Sequence, residues 1–480
     1  MASTAGEVKR HKLPPGPRGN FLLGSAREMQ KDVVQALMDG WREFGDVVHF
    51  RLADQHIYLV AHPDDVKYVL QENYKNYPKV PSVDNKFKDV SGEGLLNSSG
   101  DFWLRQRRIA QPVFHRQRIA AFATHMTDST AAMLERWRVV ADRGETVDMR
   151  IEMQRLSLDI LARALFMVDL KEEADVIGNA VTIEFEHTFR RLQSVVDLPL
   201  DWPLPGNRRF KQERAKLDQI VYRLIAERRR SGAVGTDLVS QLMQARDDET
   251  GESMSDQQLR DEVMTMIFAG HETVSTAMTW VWAFLSKHGE VERRLHAELA
   301  EVLGGRVPTL DDIPRLTYTT MVIQETLRHY PPIWLMSRTP VVDDVIGGYL
   351  IPKNSKTLVF ICPYVTHRHP DFWENPEGFD PLRFTPENSA GRHRFAYFPF
   401  GGGPRLCIGE PFGMLEMQLV IGMVAQAFRP TTVPGHIVQA QPAISLRAKY
   451  GLVMNLKQLI NPSVEPSAGV PITAAAAPRQ

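Results

Sequence analysis

Cysteine is nearly absent from this chain. Two residues in 480, Cys362 and Cys407, exclude a disulfide framework and point to a reducing compartment, the cytoplasm. Charge of one sign is lacking too: 57 basic against 58 acidic side chains leave a formal net charge of -1, which argues against a nucleic-acid binder. No run of 18 apolar residues occurs, so no helical membrane span is expected. The opening MASTAGEVKRHKLPPGPRG has no stretch of signal-peptide length, although its PPGP would equally suit a linker behind an anchor. Internal repeats and long linkers are missing as well. A prior of roughly 150 residues per domain would divide the chain in about three, yet only its ends look detached. The expectation is one domain over 13–460, a flexible segment 1–12, and a disordered Pro/Ala/Ser-rich tail 461–480.

What is present is a large apolar fraction, 43%, arranged mostly with helical period. The periodicity predicts helices over Met126–Val140, Ile151–Phe166, Phe210–Arg230, Ser255–Lys287, Glu290–Leu303 and Tyr318–Tyr330, and an apolar helix after Gly409. Strand signals are few: a hairpin of Val47–Leu52 with Gln55–Val60, and Lys356–Ile361. The fold class expected is mainly α with a small β region.

The helix opened by Ser255 and Gln258, a capping-box pair, carries MTMIFAGHETVSTAMTWVWAFL and is apolar all round, as in a core helix. Gly270, His271, Glu272 and Thr273 are anomalous there, because a mid-helix glycine costs about 1 kcal/mol and buried polar groups need partners. A zinc-peptidase H-E-x-x-H fails at Ser275. Two readings remain: room for a small ligand beside proton-handling Glu272 and Thr273, or a kink with the Thr hydroxyl bonded to an earlier carbonyl. Glu325 and Arg328 stand at i and i+3, and if buried they need a third partner, for which Arg383 is the candidate. His367 and His369 find no further ligand of suitable spacing and read better as satisfied loop residues. Trp103 and Arg107 share a helix face, either as a solvated basic helix or as an anion site.

In PFGGGPRLCIGEPFGMLEMQLV the glycine-loop templates fail, since G-x-G-x-x-G meets Leu406 and no G-K-[ST] follows. A glycine turn, an arginine and Cys407 at the mouth of a helix are left. A helix N-terminus favours a thiolate, and a thiolate in apolar surroundings favours a metal cation. One cysteine is too few for zinc or iron–sulfur sites, whereas a single axial thiolate to haem iron fits.

Together these residues resemble the cytochrome P-450 family. FGGGPRLCIG satisfies F-x-x-G-x-R-x-C-x-G, ETLR its E-x-x-R, AGHET its helix motif, WLRQR its W-x-x-x-R and FDPLRF its P-x-R-F region, in the expected order. The resemblance implies haem b with Cys407 as metal ligand, and Trp103, Arg107, Arg338 and Arg405 contacting its propionates. It further implies a structural triad of Glu325, Arg328 and Arg383, with Thr273 and Glu272 relaying protons, and space for O2 at Gly270. The glycines of the turn would let it approach the porphyrin. The activity implied is insertion of one oxygen atom from O2 into a C–H bond or alkene of a lipophilic molecule, a terpenoid of secondary metabolism being favoured. A fatty-acid hydroxylase, an H2O2-driven peroxygenase, an isomerase or dehydratase, and a haem sensor are the alternatives. Residues 410–480 are too short for a flavin or iron–sulfur region, so NAD(P)H-derived electrons would come from a ferredoxin or flavodoxin with its reductase. Arg105, Arg108, Arg116 and Arg118 would steer that partner electrostatically. The protein is expected to be a monomer, and its substrate to be lined by Val80–Leu96, Phe185–Leu204, Phe268, Ala269 and Ile333–Met336.

Overall fold

A computed structural model describes residues 12–459, apart from 167–170, 195–197, 232–234 and 236. The expected termini 1–12 and 461–480 lie outside the described residues, except Lys12. Helices dominate. Those that build the site are α1 (Pro81–Ser91), α2 (Gly100–Ala110), α3 (Met149–Phe166), α4 (Lys171–Gln193), α5 (Pro205–Ser231), α6 (Asp256–Leu285), α7 (Thr317–His329) and α8 (Glu410–Ala427). Two further predicted helices occur as Ala123–Asp142 and Gly289–Val302.

α6 begins where its capping box places it: Gln258 N–H donates to Ser255 Oγ at 3.2 Å, and Ser255 N–H to Gln258 Oε1 at 2.9 Å. It then runs unbroken through the core, buried for most of its length from Leu259 onward and open to a cavity at Ala269, Gly270 and Thr273, and its most extensive contact is with α3. α8 is likewise buried all round and packs against both α6 and α7. α7 stops at His329, ahead of Pro331 and Pro332.

The main sheet comprises β1 (Val47–Leu52), β2 (Gln55–Val60), β3 (Met336–Arg338) and β4 (Thr357–Ile361), in spatial order β1-β2-β4-β3. β1 and β2 form the predicted hairpin, with Val47 opposite Val60 and Leu52 opposite Gln55. The turn puts Ala53 at φ 53°, as a tight hairpin requires. β4 adds parallel to β2, and β3 antiparallel to β4, which carries Arg338 to the rim of the central cavity. A second small ribbon, β5 (Ala440–Pro442) with β6 (Leu446–Ala448), hangs its turn against α6, where Trp280 Nε1 donates to Leu446 O at 2.7 Å. Among the described residues no helix is long and apolar enough to cross a membrane.

Candidate active site

Cys407 lies in the loop that feeds α8. Its N–H donates to Phe400 O at 3.0 Å, closing the glycine turn into a fixed bend, and its side chain opens onto a cavity of about 410 Å³. Gly401 and Gly403 adopt φ of 76° and 66°, which favour glycine. The turn is tight for a reason the sequence did not reveal. A Cβ on Gly403 would come 2.0 Å from Leu70 O, and one on Gly402 would come 2.3 Å from the Phe395 ring. Gly402 and Gly403 therefore let the loop approach the protein's own backbone and core, while Gly401 and Gly409 of the same loop line the cavity.

A second expectation reverses in sign. The N–H groups of Gly409 and Glu410 and the charge of Arg107 do favour the Cys407 thiolate, but burial outweighs them and, with Glu410 beside it, pushes the thiol up. Helix position alone does not ionise this sulfur. A cation at the sulfur would.

Around the same cavity stand Trp103, Arg107, Arg338 and Arg405, as the motifs implied. The Arg405 guanidinium stacks on Trp103 at 4.0 Å and donates to Ser98 O at 3.0 Å. Arg107 Nη1 donates to Leu406 O at 2.8 Å, and Arg338 Nη1 to Ser337 O at 2.8 Å. Lys79, outside every motif, joins them, paired with Asp84 at 2.8 Å. Burial lowers the proton affinity of all four cations, and mutual repulsion adds to it at Lys79 and Arg405, the latter falling to about 10. Three of these partly buried cations, Lys79, Arg338 and Arg405, share one carboxylate, Asp84, and Arg107 stands by Cys407. The set is matched to a dianion.

On the opposite wall, Glu272 is buried and held by neutral donors: Ser445 Oγ at 2.8 Å and Gln154 Nε2 at 3.0 Å. The Gln154 amide oxygen accepts in turn from Arg150 Nη1 at 3.3 Å, so a polar path leads from a partly exposed arginine to the cavity. Thr273 Oγ1 donates to Ala269 O at 2.5 Å, the back-bond expected of a mid-helix threonine, while the helix stays continuous. Gly270 lines the cavity and also lets the neighbouring helix come close, since a Cβ there would meet both Leu161 methyls of α3 at 3.3 Å.

Beyond the cavity, Glu325 and Arg328 are fully buried at 2.7 Å, and Arg383 Nε approaches Glu325 Oε1 at 3.3 Å. His367 accepts from Phe398 N–H, and His369 pairs with Asp46 at 3.0 Å, so both are satisfied loop residues. Among the described residues no cluster of His, Cys, Asp and Glu suits a metal ion.

The predicted lining is confirmed in part. Phe87, Val90, Leu95, Leu96, Phe268, Ala269, Ile333 and Met336 line the cavity. Of Phe185–Leu204 only Phe185 does so; 195–197 lie outside the described residues, and Trp202 is half exposed. Sequence reasoning missed Leu238, Glu262, Thr265, Ile444 and Ser445, which come from α6 and from segments distant in sequence. The proposed docking arginines are largely engaged: Arg108 pairs with Asp247 and Glu249, Arg105 with Glu252, and Arg118 donates to Gln241. The side chain of Arg116 lies outside the described residues.

A single cysteine open to the cavity, a ring of cations suited to carboxylates and an acid–threonine pair on the same cavity define a haem-thiolate protein. The family pattern described as Cytochrome P450 matches residues 14–454. Cyclooctatin synthase of Streptomyces melanosporofaciens is 39% identical over 442 residues, covering 92% of this chain and 94% of that protein. Cyclooctat-9-en-7-ol 5-monooxygenase of the same organism is 36% identical over 86% of this chain and 88% of its own length. The crystal structure of the cytochrome P450DA heme domain superposes with a TM-score of 0.85, at 26% identity, over 93% of this chain and 98% of that one. The chain belongs to the cytochrome P450 family, with the mainly α fold and monooxygenase class that membership carries, and the haem-thiolate cofactor of that family suits the donor set in this cavity.

Proposed function

We propose that the protein inserts one oxygen atom of O2 into a C–H bond or alkene of a neutral, lipophilic, carbocyclic substrate, a terpenoid of secondary metabolism, with electrons from NAD(P)H delivered by a separate redox protein. The observation that carries this reading is the Cys407 side chain, open to an apolar cavity that is walled opposite by Glu272 and Thr273. Cys407 would hold the haem iron through its thiolate, and Trp103, Arg107, Arg338 and Arg405 would hold the cofactor's carboxylates. Haem bound through a thiolate supplies activation of O2. The chain's own residues do the rest. Glu272 is placed to exchange protons with the cavity, positioned by Ser445 and Gln154. The Thr273 hydroxyl donates its hydrogen bond to Ala269 O, which leaves its oxygen to accept from a cavity water. Glu325, Arg328 and Arg383 keep the fold that presents Cys407.

Substrate neutrality is supported by where the charges are. Among the described residues the cavity-lining cations all belong to the one ring of Lys79, Arg107, Arg338 and Arg405. None is left to pair with a fatty-acid carboxylate. The names of the two Streptomyces relatives support a carbocyclic alkenol or a related skeleton. The acid and threonine at 272 and 273 support an O2 route over a peroxygenase route. Two unpaired cysteines support a reducing, cytoplasmic setting.

Cys407→Ala is the test. It abolishes the red-shifted Soret band of the reduced CO complex, and with it turnover from O2, NAD(P)H and a reductase. Survival of that band would end this reading. Displacement titrations with cyclic terpenes, fatty acids and macrocycles, read by the Soret shift, then rank the substrate classes.

A further inference from the structure

We propose that Lys79 is a further cofactor-holding residue, its ammonium bridging a haem carboxylate and Asp84, so that the cofactor and the α1 wall of the cavity share one cation. The inference rests on the functional reading above.

Lys79 is set in a built frame. Thr339 N–H donates to Pro78 O at 3.1 Å and Val341 N–H to Asn76 O at 2.9 Å, so the segment leading into Lys79 is paired with the segment that follows Arg338. Asn76 Oδ1 accepts from the N–H groups of Val341 and Val342 at 3.1 and 2.8 Å. The Asp344 carboxylate locks the same two segments, accepting from Tyr77 Oη at 2.8 Å and Asn73 Nδ2 at 2.9 Å. Lys79 and Arg338 are thereby delivered side by side to the cavity rim.

The ammonium has three donors. One meets Asp84 Oδ1 at 2.8 Å, with the two side chains only 17% and 8% exposed, and another meets Leu96 O. Asp84 belongs to α1, and Leu96 lies within the loop 92–99 that α1 leads into. The third donor remains for a ligand in the cavity that Lys79 lines. Charge balance points the same way. Lys79, Arg338 and Arg405 depend on one carboxylate, Asp84, while Arg107 stands by Cys407, and charges of one sign withdrawn from water are tolerated only with partners. Two haem carboxylates would raise the anions to three.

Haem transfer from the holoenzyme to excess apomyoglobin tests the proposal. Lys79→Met loses haem about tenfold faster than the parent protein, the loss expected for one charge-assisted hydrogen bond, and keeps the red-shifted CO band. Lys79→Arg restores retention. Asp84→Asn, which frees the ammonium, loses haem no faster than the parent. In full-length protein reconstituted with hemin dimethyl ester, whose carboxylates are neutral, the difference between parent and Lys79→Met disappears. Amide exchange over residues 84–97 rises in Lys79→Met and not in Lys79→Arg. Equal haem loss in parent and Lys79→Met, equal loss in Asp84→Asn and Lys79→Met, or a difference that persists with the diester overturns the contact. Unchanged exchange overturns the link to α1. A parent protein without the CO band would overturn the functional reading, and this inference with it.

Discussion

Arg328 and Arg405 are both guanidinium groups withdrawn from water, and the protein treats them in opposite ways. Arg328 is fully buried and answered in full: two nitrogens bond Glu325 at 2.7 and 2.8 Å, and the carbonyls of His367, Pro376 and Gly378 take the remaining directions. Arg405 has one carbonyl, Ser98 O, and the face of Trp103, with Arg338 and Arg107 repelling it. A buried charge that the fold answers is structure; one that it leaves unanswered awaits a ligand. The loop whose carbonyls answer Arg328 from α7 and the loop that carries Arg405 are both Pro- and Gly-punctuated, so composition alone would not have separated them.

The largest expected effect breaks the answered side. Arg328→Leu strands Glu325 as an unpaired buried carboxylate and costs about 3–5 kcal/mol, enough to deplete folded protein, as read by soluble yield and thermal unfolding. Replacing Glu325 as well, by Leu, recovers part of that loss. If Arg328→Leu alone left the melting temperature unchanged, the cluster would not be structural.

The unanswered side responds with a split sign. Arg405→Leu speeds haem transfer to apomyoglobin about tenfold, because a charge-assisted contact is gone. The same substitution leaves the haem-free chain no less stable, since it removes repulsion with Arg338 and Arg107. Thermal melts of haem-loaded and haem-free protein separate the two. Equal destabilisation of both forms would make Arg405 a second Arg328.

Much of this contrast was legible in the sequence. The i, i+3 spacing of Glu325 and Arg328, the lone Cys407 at a helix mouth and the Ser255 capping box are local signals, and the local geometry follows them. The hairpin register followed from alternation around Ala53 and Asp54. The illegible parts are tertiary. Ser445 reaches Glu272 across 173 positions, and Lys79 reaches Arg338 through a pairing of two irregular segments that carries no periodic signal. The sequence could not show that Gly270 lies close against Leu161 of α3 as well as on the cavity wall. Arg105 and Arg108 looked free because their acidic partners lie in a loop about 140 residues on.

Glu416 sharpens the comparison by showing a third treatment of a buried ionisable group. Like Glu325 it is a glutamate inside a core helix, but its polar neighbour is Ser157 rather than a cation, and burial pushes its carboxyl up to about 8, where the Arg328 and His329 contacts pull Glu325 down. The fold thus answers Glu325 with charge and keeps Glu416 protonated. Between the ordinary value of 4.5 and about 8 the folded chain holds a proton that the unfolded chain has released, so stability falls as pH rises through that window. Glu184 and Glu262, also pushed to about 8 by burial, act with the same sign. Glu416→Gln removes one such proton and flattens the decline by up to about 1.4 kcal/mol per pH unit. Unfolding measured at about pH 5.5 and about pH 7.5 reads the difference directly: the variant loses less stability than the parent between the two. Parallel losses would mean that Glu416 ionises within the fold, and that α8 answers its charge from a partner other than Ser157.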